Sequence, residues 1–214
     1  MITQTNKKLV IILGRGRCGT SMAAGILNKL GVDIRGRVEN IKVAGYGEIV
    51  YDKNLNFLFE FADKARKNSL EYPCEELEKK LRKVSEERGL IWGWKESSIA
   101  ELGLARPLLS WILRVCSNVY CVFCHRRDKE AHAKSISKGL WSGKTSMEWC
   151  RNSIKEQEEV IEEFLRKFKI PRLDIYFEDF FTTPEQEVRK IADFLEVPYT
   201  SEAKDFIKLD MKHF

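Results

Sequence analysis

The amino-acid sequence predicts an α/β fold of three layers, a central parallel sheet flanked by helices. Short apolar, β-branched runs alternate with longer segments of helical periodicity along the whole chain, the pattern of strands joined by crossover helices. The first of those runs ends in a glycine-rich turn that opens directly into a helical segment. The 214 residues show neither an internal repeat nor a linker, so the chain reads as a single domain over 1–214. A hydrophobic share of 43% excludes disordered and low-complexity classes.

The elements follow in order. Residues 8–13 are a short apolar run ending at glycine, a buried strand. Residues 21–30 carry the apolar spacing of a helix, stopped by Gly31. Residues 33–48 are aperiodic and read as loop. Helical periodicity returns over 52–67 and 74–88, and 90–94 forms a second strand. Residues 99–116 form a helix that Pro107 kinks or restarts. The β-branched and aromatic segment 119–124 is the strongest strand signal. A helix over 128–138 precedes a longer one over 146–168, whose stripe is Met147, Cys150, Ile154, Ile161, Phe164 and Phe168. Two or three heptads are too few for a coiled coil, so that stripe is assigned to the core. A strand at 173–177 and a helix at 184–195, with Pro184 in its first turn, complete the chain.

Charge and cysteine usage narrow the class. Thirty-seven Lys and Arg stand against 32 Asp and Glu, a net +5 that suits an anionic small ligand as well as it suits nucleic acid, so charge alone decides little; no nucleic-acid partner is expected. No apolar run reaches the ~20 residues of a membrane span, and Leu9 to Leu13 is too short for a signal-peptide core. The six scattered cysteines read as reduced thiols of a cytoplasmic protein. Cys121 and Cys124 form a CxxC, but within a strand their side chains face opposite ways. His125, His132 and His213 show no ligand spacing, and no metal site is predicted.

The glycine-rich turn is Gly14-Arg15-Gly16-Arg17-Cys18-Gly19-Thr20-Ser21. Between a strand and a helix, such a turn curls so that successive N–H groups face one point, and the helix N-terminus adds its positive end. The spacing is P-loop-like, with Thr20 where G-x-x-x-x-G-K-[ST] places its lysine. That lysine neutralises the β/γ-phosphates of Mg·ATP in kinases and ATPases. Here the nearest cation is Arg17, three residues earlier. The loop therefore predicts a site for an oxidised phosphorus or sulfur group held in another manner.

This turn, followed by Met22-Ala23-Ala24-Gly25-Ile26-Leu27, resembles the 5′-phosphosulfate loop of sulfotransferases that use 3′-phosphoadenosine 5′-phosphosulfate (PAPS), closest to the bacterial and carbohydrate-type branch. Cys18 stands where that branch commonly has serine. The resemblance implies that Arg15, Gly16, Arg17, Cys18, Gly19, Thr20 and Ser21 bind the co-substrate. It also implies a second anion site for the 3′-phosphate. The strand 119–124 runs into His125-Arg126-Arg127-Asp128, and Ser135 lies eight residues after Arg127, two turns along the following helix. Arg127 and Ser135 match the family's 3′-phosphate pair residue by residue. Arg126 is off that spacing and is read as a general electrostatic helper.

Two further stretches extend the resemblance. Trp92-Gly93-Trp94-Lys95-Glu96 is similar to a W-G-W-K-D-P segment, and Tyr176-Phe177-Glu178-Asp179-Phe180 with Pro184 to a C-terminal strand–turn–helix. Glu178 and Asp179 are assigned to loop ordering or capping. The implied chemistry is in-line sulfuryl transfer, which needs a cation facing the leaving phosphate and a base for the acceptor's proton. Lys95 and Arg17 are the candidate cations. The family's cytosolic branch carries a catalytic histidine two residues after this lysine, where Ser97 stands here, so the base is sought among carboxylates. Glu48, in Gly45-Tyr46-Gly47-Glu48, is the first choice and Glu96 the second. Residues 141–144 are a candidate acceptor loop. The acceptor is expected to be a hydroxyl on a carbohydrate, lipid or small metabolite, with no metal involved and with oligomeric state open. The competing readings are a P-loop kinase for a nucleoside or small metabolite, and a non-catalytic nucleotide-binding module.

Overall fold

The structure is a computed structural model that describes residues 5–35, 37–39, 49–51, 75–97, 105–138 and 146–207. In chain order the elements are β1 (Thr5–Leu13), α1 (Thr20–Lys29), β2 (Arg37–Glu39), β3 (Ile49–Tyr51), α2 (Glu75–Glu86), β4 (Ile91–Glu96) and α3 (Ala105–Val115). They continue as β5 (Cys116–His125), α4 (Lys129–Ser137), α5 (Met147–Lys167), β6 (Arg172–Tyr176), α6 (Asp179–Thr182), α7 (Pro184–Leu195) and α8 (Ser201–Asp205). The central sheet has the order β4-β1-β5-β6, and every neighbouring pair is parallel. Parallel strands need crossovers, and these put helices on both faces.

Strand alternation divides the core in two. Leu9, Ile11 and Leu13 of β1 join Trp92, Trp94, Cys121 and Phe123 beneath α2, α3 and α5. Val10, Ile12, Val122 and Cys124 face the other way, onto α1, α7 and α8. Cys121 and Cys124 thus lie on opposite faces, as their spacing requires. Of the stripe read on α5, Cys150, Ile154, Ile161 and Phe164 are buried, while Phe168 is half out at 39%. Ser146 caps that helix by accepting from the Trp149 amide at 3.1 Å.

Two boundaries differ from the sequence expectation. Residues 33–48, read as loop, contain β2, which pairs antiparallel with β3 outside the main sheet. Strands of three residues are too short to show periodicity. The helix expected to Cys116 ends at Val115, and β5 begins at once, because β1 offers Thr5 as a partner for Cys116. The expected helix over 52–67, Glu48 and residues 141–144 lie outside the described residues.

Candidate active site

Three strand ends meet at the C-terminal edge of the sheet. Leu13 pairs with Glu96 on one side and Phe123 on the other, so the glycine loop, Lys95 and the 124–127 segment share one edge. The loop leaves β1 through Gly14, at φ 151, where a Cβ would stand 2.5 Å from Cys18 Sγ and 2.6 Å from the Cys124 carbonyl oxygen. It enters α1 through Gly19, at φ 95, with Phe177 packed where a Cβ would be. Gly16 is not constrained in this way, and the third left-handed residue of the loop is Arg17, at φ 75. Among the described residues no side chain caps α1 and no acidic residue occupies its first turn. A helix N-terminus of this kind offers its amides and positive dipole end to an anion. Thr20 is buried at this terminus and Ser21 half-buried.

Lys95 sits beneath the loop. Paired in register with Ile12, it projects to the α1 face, is 6% exposed, and has Glu96, Cys18 and Cys124 as its charged or polarisable neighbours. Burial lowers its ammonium below the ordinary lysine range, with Glu96 opposing. Glu96 is itself buried at the strand end. Cys18 and Cys124 share a hydrogen bond. Burial raises the Cys18 thiol, but that bond and His125 outweigh it and the net shift is downward.

The buried face of α4 grips the loop at two points. His132 Nε2 lies 3.0 Å from the Gly16 carbonyl oxygen, and Arg17 donates from Nε to Ser135 Oγ at 3.1 Å. Arg15, expected among the co-substrate residues, is buried and donates to Ser153 Oγ of α5 at 3.1 Å, its guanidinium 5.8 Å from the Trp149 ring. Ser135, expected to share a phosphate with Arg127, here accepts from Arg17.

Arg127 forks onto Asp179, Nε to Oδ1 at 3.0 Å and Nη2 to Oδ2 at 2.7 Å, and lies over the Tyr176 ring at 4.0 Å. Its amide donates to Glu178 Oε2 at 3.0 Å. Glu178 and Asp179 thus order this turn, as expected. Arg126, expected as a general helper, is buried at 3% exposure against the Phe177 ring and 3.5 Å from Glu178 Oε1, a spacing too long for a hydrogen bond. Its Nε has no hydrogen-bond partner. His125, on the opposite strand face, lies between Asp174 Oδ1 at 2.9 Å and Glu158 Oε1 at 3.4 Å. Burial depresses it, but the two carboxylates win and push it up to about 9. His132 was not singled out for this site from sequence. The signal was available for His132, which lies three residues before Ser135 and so on its face of α4.

Among solved structures, the sulfotransferase domain from the curacin biosynthetic pathway superposes with a TM-score of 0.60 at 17% identity, over 96% of this chain and 79% of that one. The sulfotransferase domain of the Synechococcus PCC 7002 olefin synthase gives 0.61 at 16%, over 98% and 81%. Sulfotransferase STF9 from Mycobacterium avium gives 0.56 at 12%, over 94% and 67%. No family model and no curated protein matches the sequence. The chain has the fold of a sulfotransferase domain.

Proposed function

We propose that this chain transfers a sulfuryl group from PAPS to an acceptor hydroxyl on a carbohydrate, lipid or small metabolite. The observation that carries the reading is the uncapped α1 N-terminus behind a left-handed glycine loop, with the buried cation Lys95 beneath it. The residues fit the co-substrate. The amides of Arg17, Gly19, Thr20 and Ser21 suit the 5′-phosphosulfate, and the buried Arg126 Nε and the forked Arg127 put cationic groups at the next strand end for the 3′-phosphate. Ser135 accompanies Arg127 in this role by the residue spacing read above, after exchanging Arg17 for phosphate. No metal need be invoked.

In the transfer the bond from sulfur to the bridging phosphate oxygen breaks, a bond from sulfur to the acceptor oxygen forms, and the acceptor proton passes to a carboxylate. Lys95 faces the charge that grows on the departing phosphate, where a preorganised, buried cation acts most strongly. Arg17 adds charge at the loop. Glu48 receives the proton, and Glu96, which neighbours Lys95, is the second candidate. Calorimetric titration with adenosine 3′,5′-bisphosphate, without metal, tests the reading. Binding of that ligand is expected. Tight Mg·ATP binding with no bisphosphate binding would replace it with the kinase.

A further inference from the structure

We infer that His132 is a positioning residue for the glycine loop, its imidazole holding the Gly16–Arg17 peptide in the orientation that keeps the Gly16 carbonyl out of the anion cradle. The inference rests on the function proposed above only for the ligand used to read it. The Cys18 amide donates to the Arg15 carbonyl at 3.1 Å, so residues 15–18 form a β-turn. Gly16 is its second residue and Arg17, at φ 75, its third, the pattern of a type II turn. That type asks for glycine or asparagine at the third position, because a Cβ is strained there. Arginine has no local reason to prefer it. Type I accepts arginine without strain, and the two types interconvert by turning the central peptide through about 180°. Left alone, Arg-Gly-Arg-Cys would choose the type that reverses the Gly16 carbonyl.

His132 opposes that reversal. It is fully buried on α4 and its Nε2 meets the Gly16 oxygen at 3.0 Å. Among the described residues the Nδ1 atom is buried with no hydrogen-bond partner, which puts the single proton of the neutral ring on Nε2. Burial first, and then Arg126 and Lys129, hold the ring neutral and its pKa down to about 4. One turn further along the same face, Ser135 accepts from Arg17 Nε and restrains the strained residue itself. In a trans peptide the carbonyl and the following N–H point opposite ways. Anchoring the Gly16 oxygen on α4 therefore directs the Arg17 amide away from α4, to the open side of the loop.

His132→Phe keeps a buried ring without the donor, and His132→Gln keeps a donor at similar reach. Both are read by calorimetry with adenosine 3′,5′-bisphosphate and by amide exchange at Arg17–Thr20, with α5 amides as the internal reference. The Phe variant is expected to lose about ten-fold in affinity and to exchange about ten-fold faster in the loop alone, and Gln to restore both to within about three-fold. Unchanged loop exchange in Phe, or equal losses in Phe and Gln, overturns the inference. The wild-type chain supplies a second test that no folding defect can blur. Its ¹⁵N spectrum should show His132 protonated at Nε2 and exchanging slowly, and an Nδ1–H tautomer overturns the inference. If the wild type binds no bisphosphate, the proposed function falls, while loop exchange and the tautomer still decide the role of His132.

Discussion

Arg127 and Asp179 form a two-pronged ion pair, 3.0 and 2.7 Å long, between the turn that follows β5 and the first residue of α6. The guanidinium is exposed and already carries the geometry that grips a phosphate. A carboxylate thus occupies the arginine proposed for the 3′-phosphate, and under the proposed function ligand binding would exchange one anion for the other.

Removing the arginine is the direct test. Arg127→Ala should weaken adenosine 3′,5′-bisphosphate about 10–100-fold, the range of a charge-assisted pair, and leave a nucleotide lacking the 3′-phosphate unaffected. Asp179→Asn, which releases the competitor, should tighten the bisphosphate about three-fold. Equal losses for both nucleotides would assign Arg127 to the turn and not to the ligand.

Lys95 should separate chemistry from binding. In the proposed transfer it faces the charge that grows on the leaving phosphate, so Lys95→Ala should lower kcat about 10²–10³-fold and change bisphosphate affinity by less than about three-fold. Single-turnover rates and calorimetry on one preparation measure the two effects. A loss carried wholly by affinity would make Lys95 a binding cation.

Ser135 stands between the two proposed anion sites and offers a third check. Its hydroxyl accepts from Arg17 Nε at 3.1 Å. Ser135→Ala removes both that restraint and the hydroxyl proposed for the 3′-phosphate. Bisphosphate affinity should fall about five- to ten-fold, the value of one hydrogen bond to a charged group. An unchanged titration would remove Ser135 from the site.

The alternation of strand and helix was legible because each buried strand is a run of apolar residues, and Gly14 and Gly19 were legible because left-handed backbone selects for glycine. Arg17 defeats that logic, since its left-handed φ is imposed by α4 and not by its own preference. The His132–Gly16 contact spans 116 positions and the Arg127–Asp179 pair 52, and no local spacing rule reaches so far. Ser135 and Arg127 were paired as a phosphate grip from their spacing, Arg127 at the strand end and Ser135 two turns along α4. Their protein partners, Arg17 and Asp179, come from distant segments that such spacing does not encode.

His125 ties β5 to β6 and α5, and its charge makes the fold sensitive to alkali. Its folded pKa of about 9 lies above the ordinary 6.5, raised by Asp174 and Glu158 against burial. A raised pKa means the native state binds the proton more tightly. The stabilisation is complete below pH ~6.5 and is lost as pH rises through about 9, a loss of about 2 kcal/mol after allowance for solvent near the carboxylates. Urea midpoints at pH 6.5 and 9.5 should differ accordingly, and His125→Gln should flatten the difference. A difference that persists in the variant would place the alkaline sensitivity elsewhere.

The base is decided by two conservative substitutions. Glu→Gln keeps size and hydrogen bonding but cannot take a proton, so only a general base loses about 10²–10⁴ in rate by it. Glu96 is buried at the end of β4 with Lys95 beside it, and that attraction favours the lysine's charged form. A carboxylate that sustains a neighbouring cation should act through it, so Glu96→Gln should lower the rate and also shift the pH at which Lys95 loses its proton. Glu48→Gln should lower the rate without moving that limb and without changing bisphosphate affinity. With the acceptor unidentified, slow PAPS hydrolysis or transfer to a generic phenol or sugar supplies the rate. Full activity in Glu48→Gln together with its loss in Glu96→Gln would move the base from the 45–48 segment to the end of β4, within reach of the cation it neighbours.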